Sequence, residues 1–230
     1  MKIFPFTLFF FLFIGCNNND SNQNCVCFPV NKGNFPDIEL YSELAWTEEF
    51  DGNQLNFDRW SLSPEGVYED LNHQQHFSVG GENVLVEDGI MKLLLSESDS
   101  AGKKSYSTAS LKTIQEFDYG RIDVRAKMPF GKGVLATICL KNEVSSEMIS
   151  IVSFLGDKDK EIFSSVRYTD IDEHKKHQSE SFFLDDGKGF SRGYHTFTII
   201  REENAIWFYV DGQPYYNVDN TISLPSEYPF

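Results

Sequence analysis

The side chains that could carry out chemistry in this chain are concentrated in one apolar segment. Glu147-Met148-Ile149-Ser150-Ile151-Val152-Ser153 brings two hydroxyls and one carboxylate into a run that otherwise has the pattern of a buried strand. A serine hydroxyl attacks or transfers a proton only when a base activates it, and no His or Lys lies beside these serines. Turning Glu147 to their face would need a one-residue register shift, which would misplace every apolar neighbour. We therefore expect Glu147 to be a solvated acid, together with Glu143 and Asp157.

Histidines and cysteines, the other reactive residues, form no clear site in the sequence. Asp172-Glu173-His174-Lys175-Lys176-His177 holds two histidines but no clear third ligand, so we expect a solvated loop. Cys25 and Cys27 are separated by one residue, a spacing that fits a disulfide poorly. Cys139 lies in an apolar run and is expected to be a buried thiol. We predict no disulfide framework, no metal and no cofactor.

The N-terminal residues 1–15 have the pattern of a secretion signal. Lys2 is followed by an apolar run from Phe4 to Ile14, which is too short to cross a bilayer as a helix. Phe13-Ile14-Gly15-Cys16 resembles a bacterial lipobox, which implies cleavage before Cys16 and a lipid anchor on that residue. The alternative is an ordinary signal peptide with an incidental cysteine. The resemblance implies a lipid-anchored protein of the cell envelope, with the outer membrane as the expected location.

Residues 16–43 are rich in Asn, Ser, Asp and Gly and are expected to form a polar tether, so that residues 1–43 lie outside the folded domain. The domain, residues 44–230, alternates short strand patterns with turn signals. Asn83 to Leu95 has two apolar runs around Glu-Asp-Gly, the pattern of a β-hairpin. Tyr119 to Met128 alternates apolar and charged residues, as in a half-buried antiparallel strand. Further strands at 194–200 and 205–210 complete a pattern typical of an all-β sandwich or jelly roll.

Several segments, in this order, resemble glycoside hydrolase family 16, the laminarinase and β-glucanase group. They are Leu44 to Gly52, Trp60, Asn72 to Phe77, Tyr106 to Met128, Phe154-Leu155-Gly156, Tyr194-His195-Thr196 and Ile206 to Gly212. The resemblance implies a concanavalin A-like β-jelly-roll sandwich with a glycan cleft across its concave sheet. The final segment, Leu224 to Phe230, resembles the beginning of a longer family segment. We therefore expect a sandwich that lacks its last strands and is incomplete at the C-terminus.

The chemistry of the family requires two carboxyl groups about 5–5.5 Å apart, one as nucleophile and one as acid/base. The family places them on one strand as Glu-x-Asp-x-x-Glu, where alternate residues share a face and a bulge returns the last Glu to that face. When the sequences are aligned on Phe154-Leu155-Gly156, the three positions are Met148, Ser150 and Ser153. None is a carboxylate. The resemblance therefore implies the fold of a retaining glycosidase without its catalytic residues.

Other positions of the implied cleft also depart from the family. Leu135 and Cys139 stand where the family has sugar-stacking tryptophans, Ser110 replaces an arginine, and Arg167 replaces a histidine. The loss of the tryptophans weakens the case for sugar binding.

Some residues of the implied cleft keep a polar character. The candidates for sugar binding are Asn72, His73 and Gln75, and the alternative is that they hydrogen-bond loop backbone. The chain has three tryptophans, which are expected to pack in the core: Trp46, Trp60 and Trp207.

Composition limits the partners of the chain. It has 35 acidic and 20 basic residues and a net charge of −15, so its surface repels phosphate backbones and we expect no nucleic-acid binding. A neutral polysaccharide is compatible with this charge. Three hypotheses remain open: an inactive family-16-like lipoprotein that binds β-glucan or a related polysaccharide at the cell surface; an active endo-acting glycosidase with displaced carboxylates; and a truncated relic or protein-interaction module without glycan activity.

Overall fold

The structure of the chain is a computed structural model that describes residues 6–14, 35–62, 75–77, 81–100, 103–142, 147–169, 174–185, 187–203 and 205–219. The elements in these residues are a 3-10 turn, Ile38–Leu40, and the strands β1 Phe6–Ile14, β2 Trp60–Leu62, β3 Gln75–Phe77, β4 Val84–Glu87, β5 Ile90–Leu93, β6 Ser96–Ser100, β7 Lys103–Thr108, β8 Ser110–Phe117, β9 Gly120–Ala126, β10 Val134–Lys141, β11 Met148–Leu155, β12 Glu161–Thr169, β13 Lys175–Phe183, β14 His195–Glu202, β15 Ala205–Val210 and β16 Gln213–Asp219. No helix among the described residues is long and apolar enough to span a membrane.

Two antiparallel sheets form the body of the molecule. The larger has seven strands in the order β13-β12-β11-β10-β1-β8-β2, and the smaller has four in the order β16-β15-β14-β9. The hairpin β4-β5 and the three-stranded sheet β3-β7-β6 lie outside them, and β3 pairs with β7 in parallel. The sequence prediction of an all-β sandwich is therefore confirmed.

The main core lies between the two large sheets because their strands alternate apolar and polar residues. The larger sheet contributes Ile138, Ile149 and Phe154, and the smaller sheet contributes Phe197 and Phe208. On β9, the apolar residues of the predicted alternation pack against this core, while the charged residues between them point away. Burial of such apolar side chains is the main favourable contribution to folding.

The predicted hairpin is present as β4 and β5. Its turn residues Asp88 and Gly89 have φ angles of 53° and 70°, the left-handed pair of a type I′ turn. Asp211 and Gly212 make the same kind of turn between β15 and β16, with φ angles of 50° and 77°. In both turns the Asp-Gly pair supplies the positive φ that the right-handed twist of a tight hairpin requires.

The segment predicted as a secretion signal lies inside the larger sheet of the unprocessed chain. Phe6–Ile14 is β1, and it pairs antiparallel with β10 on one side and β8 on the other. A continuous apolar run is also the pattern of a central strand covered on both faces, so this segment has the composition for either role. The processing before Cys16 stays a prediction.

Part of the predicted tether packs on the smaller sheet. The Tyr209 hydroxyl donates to the Pro36 carbonyl at 3.0 Å, and the Arg121 guanidinium donates to the Ile38 carbonyl at 3.0 Å. The Phe35 and Tyr209 rings meet edge to face with centroids 5.7 Å apart. Phe35, Pro36 and Ile38 therefore contact the smaller sheet, while the start of the domain at Leu44 stays a prediction.

The tryptophans differ in their surroundings. Trp60 is 2% exposed and, with Trp46 beside it, belongs to a second core cluster beneath the β4-β5 hairpin. Trp207 is only half-buried, because the residues on either side of it, Ile206 and Phe208, are the ones that point into the main core. The prediction of core packing is confirmed for Trp60 and wrong for Trp207, which lies on the opposite face of its strand.

Candidate functional site

Three residues at the centre of the larger sheet occupy the positions that the sequence comparison singled out. Met148 pairs with Lys141 and Arg167 on the neighbouring strands, Ser150 with Cys139 and Ser165, and Ser153 with Thr137 and Phe163. Paired residues of neighbouring strands share a face. Met148, Ser150 and Ser153 therefore lie on one face of the sheet, opposite the main core, and we call this the site face.

A β-bulge keeps the third residue on the site face. The register between β10 and β11 shifts between Ile138 and Cys139, so that Ile151 is an extra residue between Ser150 and Val152. Ile151 and Val152 both pack in the main core. Without this insertion the odd spacing from Ser150 to Ser153 would place the two serines on opposite faces.

Two residues that sequence analysis did not single out support the bulge from the core side. The Ser164 hydroxyl donates a hydrogen bond to the Ile151 carbonyl and also bonds the Tyr215 hydroxyl. The side-chain hydroxyl of Ser164 thus supplies a hydrogen bond to the bulged carbonyl, a group whose ladder pairing the insertion disturbs.

None of the three positions on the site face carries a carboxylate. Two of them, Ser150 and Ser153, carry a hydroxyl, and the third is Met148. Met148, Ser150 and Ser153 are 5%, 1% and 4% exposed, respectively. The Ser153 and Thr137 hydroxyl oxygens lie 3.3 Å apart and form a hydrogen bond, while Ser150 and Ser165 are paired across β11 and β12. Hydroxyls can donate to and accept from a neutral polar ligand, but an unactivated hydroxyl is a poor acid and a poor nucleophile at neutral pH.

Glu147, the acid nearest to this face, does not join it and is not solvated as expected. Its side chain is 5% exposed, and its charge acts on the buried guanidinium of Arg201, which belongs to the smaller sheet. Glu147 directly precedes Met148, and alternation along a strand turns it to the core side. The expectation of a solvated acid is wrong because Glu147 is buried on the core side. The guanidinium of Arg201 donates to the Asp118 carboxylate at 3.1 Å, and Glu147 adds a smaller electrostatic effect on the same group. Asp157, by contrast, is exposed as predicted, and Glu143 lies outside the described residues.

The groups beside the hydroxyls are poor candidates for activating them. Complete burial raises the pKa of the Cys139 thiol to about 12, although Lys141 and Arg167 oppose the shift, so the thiol is neutral. Partial burial lowers the pKa of His177, and the nearby Arg167 guanidinium lowers it further. His177 pairs with Arg167 on β12 and therefore lies two strands away from Met148, and it pairs with neither serine.

The structure describes only some of the other residues that the sequence assigned to the cleft. Asn72 and His73 lie outside the described residues, and Gln75 is described by its backbone alone, which pairs with Tyr106 in the small sheet β3-β7-β6. Ser110 and Thr137 are both register neighbours of Phe11 on β1, which puts Ser110 in the same row as Ser153. The described structure therefore brings Ser110 to the site face but does not place the three sugar-binding candidates there.

The histidine-containing stretch 172–177 is partly strand rather than loop. From Lys175 onward it belongs to β13, and His177 faces Arg167 across the ladder. Among the described residues, no three His, Cys, Asp or Glu side chains come together as a metal site. A cavity of about 330 Å³ is lined by Phe35, Phe182 and Tyr215 with Gln213 and Pro214, and none of the three site-face positions lines it.

The fold and this arrangement can be compared with known proteins. The family model for glycosyl hydrolases family 16 matches residues 71–230, which is more than half of the chain. The chain belongs to glycosyl hydrolases family 16. The larger sheet, its bulged strand and the smaller sheet behind it are therefore those of a concanavalin A-like jelly roll.

One curated protein is similar to this chain over most of the chain's length. Glucan endo-1,3-beta-glucosidase A1 from Niallia circulans is 26% identical over 203 residues, which cover 77% of this chain and 29% of that protein. The chain thus spans less than a third of the length of this curated relative.

Solved structures agree in fold. The laminarinase catalytic domain from Thermotoga maritima MSB8 superposes with a TM-score of 0.65 at 24% identity, covering 77% of each chain. A serine-for-glutamate variant of LamA from Zobellia galactanivorans, in complex with laminaritriose and laminaritetraose, has a TM-score of 0.68 at 18% identity, covering 82% of this chain and 86% of that one.

Proposed function

We propose that this family-16 chain is catalytically silent and binds β-glucan or a related polysaccharide at the cell surface, held there by a lipid anchor on Cys16. The observation that supports this most directly is the make-up of the site face. Met148, Ser150 and Ser153 share that face, and a retaining glycosidase needs two carboxyl groups about 5–5.5 Å apart there. Neither a thioether nor an unactivated hydroxyl replaces a carboxylate as nucleophile or as acid.

The choice of a β-glucan as ligand rests on the relatives. The curated relative is named as a glucan endo-1,3-beta-glucosidase, and the LamA variant with a serine in place of one glutamate was crystallised with laminaritriose and laminaritetraose. A hydroxyl in place of a glutamate is thus compatible with oligosaccharide binding in that protein. In this chain, the hydroxyls of Ser150, Ser153 and Thr137 offer donors and acceptors to a neutral sugar.

Two observations bear on the alternative functions. Glu147 acts on Arg201 on the core side, which disfavours a glycosidase that uses it as a displaced acid. The almost complete burial of Met148, Ser150 and Ser153 favours the second candidate, a protein-interaction module that binds no glycan. In this structure these three side chains offer a glycan very little exposed surface.

The experiment that tests the proposal separates hydrolysis from binding. The purified protein is incubated with laminarin and lichenan and assayed for reducing ends, and it is also run in native gels containing each polymer. We expect no release of reducing ends and a slower migration in at least the laminarin gel. Ser153→Leu, which replaces a site-face hydroxyl with an apolar side chain, is expected to abolish the retardation. Leu85→Ser, a surface change on the β4-β5 hairpin, serves as the matched control and should retain it.

Each contrary outcome has a definite meaning. Hydrolysis that disappears in Glu147→Gln would show that the chain is an enzyme with a displaced acid. Absence of retardation in every polymer, for a protein that unfolds cooperatively, would overturn the binding proposal in favour of the interaction module.

A further inference from the structure

Three basic side chains form a row across the site face. Lys141 on β10 and Arg167 on β12 both pair with Met148 on β11, and His177 on β13 pairs with Arg167. Paired residues of neighbouring strands share a face, so all three basic side chains lie on the site face, and we call them the basic row. Neighbouring strands lie about 4.8 Å apart, so the row extends about 14 Å across the sheet.

The basic row is accessible to solvent. His177 is exposed, and Lys141 and Arg167 are half-buried. The three positions that align with the family's catalytic residues are, by contrast, each at most 5% exposed. The basic row therefore offers a ligand the accessible polar groups that those three positions lack.

The charges of the basic row act at the middle of the site face. Complete burial raises the pKa of the Cys139 thiol, and Lys141 and Arg167 both oppose this shift. Cys139 pairs with Ser150, so both positive charges act beside the central position of the bulged strand. Burial lowers the pKa of His177, and Arg167 lowers it further, so the imidazole is neutral at pH 7 and donates one N–H group. The row thus combines two cations with one neutral donor.

We propose that the polysaccharide bound at the site face is anionic, and that a sulfate or carboxylate group on one of its sugars binds to Lys141, Arg167 and His177. This inference rests on the proposed function, because it names the chemistry of the glycan at the same face. A guanidinium donates two parallel hydrogen bonds to a pair of anionic oxygens, and an ammonium adds a point charge. The half-buried Ser179 lies two residues after His177 on the same face, and its hydroxyl can bond a neutral oxygen of the sugar.

Two acidic residues on the described strands of the larger sheet share this face, and both lie away from the basic row. Glu116 on β8 pairs with Thr7 of β1 and is therefore two strands from Lys141, a distance of about 10 Å. Glu161 lies six residues before Arg167 on β12, about 20 Å along the strand. Because the chain as a whole has a net charge of −15, its surface at large repels an anionic polymer. Binding of such a polymer would therefore depend on a local group of cations.

The experiment compares one glucan backbone in neutral and charged forms. The purified protein is titrated with laminarin, with O-sulfated laminarin and with carboxymethylated laminarin of matched chain length, and binding is followed by calorimetry. We expect at least one charged form to bind about tenfold or more tightly than the neutral form. The sulfated and carboxymethylated arms show which anion the row prefers. Added salt should weaken binding of the charged form and leave that of the neutral form unchanged, because ions screen exposed charges.

Variants of the basic row test where the charged group binds. Arg167→Gln should reduce the preference for the charged form about tenfold or more, because a hydrogen bond from a charged donor is lost. Lys141→Gln should reduce it several-fold, and this variant keeps the test valid if Arg167→Gln does not fold. Lys158→Gln, the matched control, removes the same charge from an exposed lysine between β11 and β12 and should keep the preference. Melting temperatures show that each variant is folded.

Each contrary result has a separate meaning. Equal affinity for the neutral and charged forms would overturn this inference and leave the proposed function in place. A preference for the charged form that survives in both Arg167→Gln and Lys141→Gln would assign the anion to another surface and would also overturn it. Failure to bind any of the three polymers would overturn the proposed function together with this inference.

Discussion

Met148, Ser150 and Ser153 share a face only because Ile151 is inserted between the last two, so the bulge in β11 determines which side chains meet on the site face. Thr137 and Ser153 hydrogen-bond to each other on that face. Each hydroxyl can act as donor and acceptor at once, so this pair is satisfied without any charged neighbour. The residues at these positions therefore favour a stable polar face rather than a strained, charged one, which would be expected of a catalytic site.

The buried acid Glu147 is expected to contribute to stability and not to turnover. Glu147→Gln removes a buried negative charge that acts on Arg201 in addition to the Asp118 carboxylate, so the free energy of unfolding should fall by about 1 kcal/mol. Asp157→Asn, at the other end of the same strand and exposed to solvent, should change it by less than about 0.5 kcal/mol. Urea unfolding followed by circular dichroism measures both. Equal effects of the two changes would contradict the placement of Glu147 on the core side.

The buried thiol of Cys139 predicts a loss of stability in alkaline solution. Its pKa is raised from about 9 to about 12 in the folded protein, so the unfolded chain releases the proton first. The unfolded state then binds fewer protons than the folded state, and the free energy of unfolding falls as the pH rises from about 9 towards 12. The contribution of the thiol is fully present below about pH 9.

The prediction for Cys139 is tested by comparing the free energy of unfolding of the wild type with that of a variant that lacks the thiol. Urea unfolding of the wild type and of Cys139→Ala is compared at pH 8, 9 and 10, because the buried tyrosines titrate in both proteins and cancel. The wild type should lose stability relative to the variant as the pH rises. A constant difference across this range would show that the thiol ionises normally in the folded protein.

At the scale of elements, the bulge in β11 depends on its neighbour β12. Ser164→Ala removes the hydroxyl that donates to the Ile151 carbonyl, and we expect the free energy of unfolding to fall by about 1 kcal/mol. Ser165→Ala, on the same strand but on the site face, should cost less, because Ser165 has no part in this bond. Thermal unfolding of the two variants gives the comparison. If the two changes cost the same, the Ser164 hydroxyl does not support the bulge.

The sequence predicted those elements whose own residues determine their structure. The hairpin β4-β5 was predictable because its Asp-Gly turn is a local signal, and β9 because one of its faces meets the core and the other does not. The role of β1 was not predictable, since a continuous apolar run fits a secretion signal and a central strand equally well. The site residues Met148, Ser150 and Ser153 were located by family resemblance. Ser164 and Tyr215 were missed, because only the folded sheet brings them to the bulge.

At the scale of the whole molecule, the two sheets share one core, and the N-terminal residues contribute to both. Phe35 and Pro36 contact Tyr209 on the outer face of the smaller sheet, while Phe6–Ile14 lies within the larger one. These contacts join residues far apart in sequence, and a local pattern carries no information about them. The contacts of Phe35 and Pro36 with Tyr209 were therefore not predictable from the sequence.

One shared core predicts that the two sheets unfold together. Phe154 on β11 and Phe208 on β15 come from different sheets but belong to the same cluster of buried side chains. Phe154→Ala and Phe208→Ala each leave a cavity that the rigid sheets fill only partly, at a cost of about 3–5 kcal/mol. Because the cavities lie in one cooperative unit, either change should shift a single transition and leave its steepness in urea unchanged.

Two spectroscopic probes and one control variant test whether the two sheets unfold together. Tryptophan fluorescence reports on all three tryptophans, of which Trp60 and Trp207 lie in different sheets, and far-ultraviolet circular dichroism reports on all strands. Their midpoints should coincide in the wild type and in both variants. Phe130→Ala, at a ring that is 70% exposed, makes the same chemical change without a cavity and should barely move the midpoint. If Phe208→Ala shifted only part of the transition and left the rest in place, the sheets would unfold independently, because a defect in a shared core destabilises everything that packs against it.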